Sequence, residues 1–332
     1  MFTPKGPPSD KIKHVVVLMM ENRAFDHLLG WLKEDFNQEI DGLKERDTCV
    51  RDPNDLSKGE INLNRRGYDV SPDDPLHDFD NTKDQINNNN MNGFISNAVL
   101  NNHSELNPVS AFDASASSAP VINTLAKEFA IFDSWFSSLP GPTDPNRAFA
   151  MSGTSEGMLT NFNGTLYTQQ SYFDYLVQRN KTFTGYFQRD LWALGYFKDV
   201  VRTKNIQRIF DLDEHFYEDV SSGAMTDFTW LQPSLTTPIT GPLPSWQHPD
   251  ASVQEGERLI KKVYEVLRSG PRWNSTLFII TYDEHGGFFD HVSPPSSGVV
   301  SCDDVSFKYY IYYIKTSSYL SSLSFFLFPA EP

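Results

Sequence analysis

The chain's apolar residues come in two conspicuous uninterrupted runs. HVVVLMM (residues 14–20) and TLFIITY (276–282) are β-branched or large at nearly every position, with no polar alternation. That pattern predicts strands buried on both faces, as in a parallel sheet. A third run, AIFDSWF (130–136), reads as another strand. Between them lie helical periods. VINTLAKEF (121–129) repeats its apolar positions every three to four residues, and SVQEGERLIKKVYEVLR (252–268) places Leu259, Val263, Val266 and Leu267 on one stripe. Ser252 and Glu255 predict a capping box, and Gly270-Pro271 a stop. Asp144-Pro145 predicts the N-cap and first residue of a helix through RAFAMSG. Residues 40–110, rich in Asn, Asp, Pro and Gly, read as a long irregular excursion with short elements. Strand–helix–strand alternation predicts an α/β fold, a mostly parallel central sheet flanked by helices.

Both long runs end abruptly in polar clusters, Glu21-Asn22-Arg23 and Asp283-Glu284-His285. In an open parallel sheet the functional crevice lies beyond the carboxyl ends of the strands, so the two clusters are expected on one rim. Acids crowded there repel unless a positive charge sits between them, and oxygen donors suit a hard divalent cation. Taken alone, Asn22 also reads as a helix cap with Asp26 in the first turn, and Asp283-Glu284 as a polar strand end before a Gly-Gly turn. Thr143 precedes a helix start, where the dipole favours an anion. Its hydroxyl serves either as a nucleophile or as an ordinary turn residue. Arg23 and Arg147 flank the clusters, either to clamp a phosphate or to balance the acids. His285 and His291 stand beside the second acidic cluster, and His77 and His248 fall in polar loops.

A formal net charge of −15 argues against a general nucleic-acid binder. Cys49 and Cys302 are too far apart in sequence to suggest a metal-ligand spacing or a disulfide framework. No signal-peptide pattern is seen at the N-terminus, which leaves a cytoplasmic or peripheral-membrane location as the expectation.

Three stretches carry a resemblance. ENRAFDHLLGW resembles the ENRSFDH signature of the phosphoesterase family that includes bacterial phospholipases C, related acid phosphatases and plant non-specific phospholipases C. LPGPTDPNR is similar to that family's nucleophile loop, and DEHGGFFDHV to its second acidic block. The resemblance spans roughly residues 10–295 and implies an alkaline-phosphatase-like fold. By position it implies Glu21, Asn22, Asp283 and Glu284 as ligands of a divalent metal cation of unknown identity, and Thr143 as nucleophile. It implies His77 and His248 as catalytic histidines of the phosphate pocket, with Asn146, Arg147 and His285 near the substrate. The implied reaction is phospholipase C cleavage of glycerophospholipids through a phospho-threonine. Its partners are a phospholipid or other phosphate ester and, peripherally, a membrane. The alternatives are an acid-phosphatase-like phosphomonoesterase and an inactive truncated relative that at most binds phospholipid.

Two departures bear on this. HPDASV (248–253) has Ala251 and Ser252 where plant members commonly carry a second His and an Asp. After DHVSPP the family pattern continues at length, whereas here a Tyr-, Ser- and Phe-rich stretch follows, resembling read-through or an alternative exon. Residues 1–295 are therefore expected to form a phosphoesterase domain that is incomplete relative to the family. Residues 296–332 are expected to be a divergent, irregular tail and a poor membrane span.

Overall fold

The structure is a computed structural model and describes residues 11–114, 119–236 and 243–295, together with one strand at 324–327. Its strands in chain order are β1 (His14–Met20), β2 (Thr48–Val50), β3 (Glu60–Asn62), β4 (Ala130–Phe132), β5 (Phe183–Phe187), β6 (Ile209–Asp211), β7 (Phe228–Gln232), β8 (Thr276–Tyr282) and β9 (Ser324–Leu327). Seven form one sheet in the order β4-β9-β8-β1-β7-β5-β6, and β2 and β3 form a separate antiparallel ribbon. β8, β1, β7, β5 and β6 are mutually parallel. β9 runs antiparallel to both β8 and β4. The mostly parallel α/β architecture is thus as expected.

The two uninterrupted runs become the paired strands at its centre, β1 and β8, over the predicted residues. Alternation explains why neither run shows a polar face. Val16, Leu18 and Met20 pack into the core beneath the helix Val253–Ser269. Val17 and Met19 point to the opposite face and join Trp230, Phe173 and Trp192 in a second core. Both faces are covered by protein, so both sets of positions must be apolar.

Several local expectations differ from the structure. AIFDSWF yields strand only over Ala130–Phe132. Phe132 and Trp135 are 40% and 43% exposed, and Asp133 leaves the strand to accept the Asp41 amide. Asp144 is not the N-cap of its helix. The helix Thr143–Ser152 begins two residues earlier than expected, after Pro142, and the Asp144 carboxylate instead accepts the Phe162 amide at 2.7 Å. Ser252 does cap the helix Val253–Ser269, bonding the Glu255 amide, but the Glu255 side chain turns to Arg258. Within the expected irregular tail, Ser324–Leu327 is a strand between β8 and β4. The rest of 296–332, including Cys302, lies outside the described residues. Among the described residues no helix is long and apolar enough to cross a membrane.

One buried acid gives the fold a measurable pH dependence. Glu257 caps the helix Pro120–Glu128, accepting the Val121 and Ile122 amides. Burial nevertheless raises its pKa from 4.5 to about 7, against the pull of those amides. A carboxyl that titrates higher in the folded chain holds more protons there than when unfolded, so stability should fall as pH rises through this window. The loss amounts to at most about 3 kcal/mol. Glu257→Gln keeps one acceptor and removes the titration. Its melting temperature relative to wild type should therefore rise between pH 5 and pH 8. A difference that does not change with pH would show that Glu257 does not titrate in this window.

Candidate active site

The register of the central pair builds the site. Met20 lies opposite Tyr282, so Glu21-Asn22 and Asp283-Glu284 leave the sheet side by side. They are locked by backbone contacts: the Arg23 amide donates to Glu284 O at 3.1 Å, and the Asn22 amide to Asp283 Oδ1 at 3.1 Å. Asn22 adopts φ 53°, a left-handed conformation that Asn tolerates, and Gly286 takes φ 66°. The helix-cap reading of Asn22 does not hold. The following helix, Phe25–Leu29, is preceded by Ala24, and the Asn22 amide group faces His77 at 3.0 Å.

All four expected metal-site residues are buried, but they divide into two pairs. Glu21 and Asp283 are fully engaged. Glu21 Oε1 accepts the Thr143 hydroxyl at 2.6 Å and its Oε2 meets Arg147 Nη2 at 2.5 Å. Asp283 Oδ1 accepts the amides of Asn22 and Glu284, and its Oδ2 meets Arg147 Nε at 3.0 Å. Asn22 and Glu284 are not fully engaged. Asn22 Oδ1 and Glu284 Oε1 are buried with no hydrogen-bond partner, while Glu284 Oε2 takes the Gly286 amide at 2.6 Å. Two buried hard oxygens without donors suit a cation, because unpaired buried acceptors are costly. A small divalent cation fits the donor chemistry here.

The acids' titration follows the same division. Burial raises Glu21 well above the usual carboxylate range, Asp283 adds to this, and Arg147 and Thr143 oppose it. Burial likewise raises Asp283 against Arg147. Burial alone would also raise Glu284, but His77, His285 and the Gly286 amide outweigh it and hold the group low.

His77 and His248 face one another across the rim, ring centroids 6.1 Å apart. The Nδ1 of His77 contacts Pro75 O at 2.7 Å, and that of His248 contacts Asp250 Oδ1 at 2.7 Å. The Nε2 of His77 meets the Asn22 side-chain amide at 3.0 Å and lies 3.9 Å from Glu284 Oε1, and that of His248 lies 3.7 Å from Asp74 Oδ2. Asp74 stands between the rings and, with them, offers ligand atoms within 4.8 Å of one another. Sequence reasoning missed Asp74 and Asp250. Their signal was proximity alone, three residues before His77 and two after His248. The departures at Ala251 and Ser252 are absorbed locally: Ala251 is buried, and Ser252 caps its helix and bonds Asp69.

The residues expected near the substrate make the following contacts within the protein. The Asn146 amide is committed to the loop before the helix, accepting from Leu139 N and donating to the carbonyls of Leu139, Gly141 and Pro142. It moulds the turn that presents Thr143. Arg147 is fully buried between the two acids. His285 points away from the rim, its Nε2 on Gln85 Oε1 at 2.7 Å and its Nδ1 3.3 Å from Glu284. His291 pairs with Asp26 at 2.7 Å, tying the first acidic block to the second. Asp26 Oδ2 accepts both the amide and the ring of His291.

Beside Asp283 and Asn146 opens a groove of about 350 Å³, whose lining includes Val17, Met19, Trp135, Phe228 and Trp230. Most of that lining is apolar.

The Phosphoesterase family profile matches residues 12–321. Non-specific phospholipase C6 of Arabidopsis thaliana is 38% identical over 301 residues, covering 88% of this chain and 56% of that protein. Non-specific phospholipase C3 of the same plant is 34% identical over 319 residues, covering 90% and 59%. The chain thus spans rather more than half the length of these curated relatives. Among solved structures, a protein in the alkaline phosphatase superfamily from Vibrio parahaemolyticus aligns with a TM-score of 0.39 at 8% identity. That alignment covers 96% of this chain and 61% of the other.

Proposed function

Since the chain belongs to the phosphoesterase family, we propose that it hydrolyses phosphate esters, and specifically glycerophospholipids in the manner of a phospholipase C. The observation that carries this reading is the 2.6 Å bond from Thr143 Oγ1 to Glu21 Oε1. It holds a hydroxyl at the N-terminus of the helix Thr143–Ser152, beside two strand ends that carry acids.

In this reading Thr143 Oγ1 attacks phosphorus, held in line by Glu21. The Oγ1–P bond forms, the bond from phosphorus to the glycerol oxygen breaks, and the departing alkoxide takes a proton as diacylglycerol. Water then attacks the phospho-threonine, and the Oγ1–P bond breaks to release the phosphorylated head group and restore the hydroxyl. The Nε2 atoms of His77 and His248 are positioned to hydrogen-bond phosphoryl oxygens and to move protons at the leaving and attacking oxygens. Asn22 and Glu284 would hold a divalent cation through their orphaned oxygens, with Glu21 and Asp283 bordering it. Such an ion, when bound, offsets the negative charge on the phosphoryl group.

The apolar groove supports a lipid over a small monoester, because acyl chains need an apolar entrance. Peripheral contact with a membrane surface belongs to the same proposal: Trp135 and Tyr172, both at the groove, are 43% and 44% exposed. Phosphatidylcholine and p-nitrophenyl phosphate assayed side by side, with and without chelator, test it. Diacylglycerol release that chelator abolishes is the expected result. Turnover of the monoester alone would replace phospholipase C with phosphomonoesterase.

A further inference from the structure

Arg147 follows Thr143 by four residues in the helix Thr143–Ser152, so the two side chains share one helix face. It is wholly buried, and its guanidinium is fixed on several sides. Nη2 reaches Glu21 Oε2 at 2.5 Å and Met20 O at 2.8 Å, and Nε reaches Asp283 Oδ2 at 3.0 Å. The guanidinium carbon stacks over the Trp192 ring, 4.2 Å from its centroid. Glu21, gripped at Oε2, has only Oε1 left, and that oxygen takes the Thr143 hydroxyl.

We infer that Arg147 is a positioning residue for the nucleophile. Through Glu21 it sets the direction of the Thr143 hydroxyl, and through Asp283 it fixes the strand end that carries Glu284. The inference rests on the reading of Thr143 as nucleophile. It assigns Arg147 a part that needs no contact with substrate, in keeping with its burial. The planar fork is what the part requires. Two carboxylates arriving from adjacent strands are each met by a separate N–H of one rigid plane. A lysine at the same place keeps the charge but presents a compact ammonium without that geometry. Charge and orientation are therefore separable by mutation.

Arg147→Lys tests the inference with three readouts: the crystal structure of metal-free protein, Mn²⁺ binding by titration calorimetry, and kcat and KM on phosphatidylcholine micelles. The Glu21–Thr143 contact is expected to open beyond about 3.5 Å. Mn²⁺ affinity and kcat should each fall about 10- to 100-fold, with KM changed by less than about threefold. A Lys variant that keeps the contact and a wild-type kcat overturns the inference. Should the Lys variant fail to fold, Arg147→Ala assayed with added methylguanidine decides. Partial recovery of kcat upholds the positioning role, and a folded, inactive variant that methylguanidine does not rescue overturns it. If wild type turns over no phosphate ester, the functional reading fails separately. The metal-free structures then still judge whether Arg147 sets the Thr143 hydroxyl.

Discussion

Thr143→Ala should lower phospholipid hydrolysis by at least about 10⁴-fold, since the variant lacks the atom that bonds phosphorus. The loss should not come from unfolding. The side chain is small, and its deletion leaves the helix start and the Asn146-moulded loop in place. It removes one hydrogen bond and leaves Glu21 Oε1 buried without its donor, a cost of about 1–3 kcal/mol. Circular dichroism should be unchanged and melting lowered by a few degrees at most. Thr143→Ser keeps a hydroxyl without the methyl that limits its rotamers, so it should retain measurable turnover. Burst kinetics with a chromogenic diester would then show one equivalent of product released before the steady state in wild type and none in the Ala variant. Near-normal hydrolysis by Thr143→Ala would remove this residue from the mechanism.

Gly286→Ala should be comparably damaging by a different route. Gly286 takes φ 66°, and a Cβ built there would lie 2.2 Å from the carbonyl oxygen of Asn22. The neighbour is backbone, so nothing flexible can yield. The added methyl must separate the two strand ends, which also carry Asn22 and Glu284. We expect a stability loss of about 2–4 kcal/mol and a melting temperature lower by about 5–10 °C. Cation binding should weaken alongside. If Gly286→Ala melts and binds Mn²⁺ like wild type, the two blocks are not pressed together as described.

The parts of this fold that could be read from sequence are those with redundant signals. β1 and β8 are long, β-branched and apolar on both sides, so their extent and burial were legible. The helix Val253–Ser269 announced itself by period, cap and stop. β5 (FTGYF) and β7 (FTWLQ) are also paired on both sides yet short, and carry Thr and Gly at buried positions. A Cβ at 185 would meet Ile209 Cδ1 at 2.7 Å, a contact made with a strand more than twenty residues away in sequence. In the site, the strand ends expected on one rim do lie together. Pattern alone could not assign each carboxylate oxygen to its partner. That Glu21 and Asp283 are taken up by Arg147, leaving Asn22 and Glu284 with the orphaned oxygens, depends on side-chain directions. Asp74 and Asp250 escaped notice because a loop acid has no period to betray it.

β9 has a consequence for how the chain is made. It is the last strand among the described residues, yet it lies between β8 and β4, inside the sheet rather than at its edge. A ribosome must therefore release residues up to 327 before β4, synthesised nearly two hundred residues earlier, can join the sheet. Until then β8 has a neighbour on one side only, and its other edge offers unpaired N–H and C=O groups to any extended peptide nearby. Sheet completion of this kind closes a very long loop, and such closures come late and slowly. The strand that delivers Asp283 and Glu284 thus keeps one edge open until β9 is made. A chaperone that shields extended edges should raise the yield of folded protein more than one that shields helices.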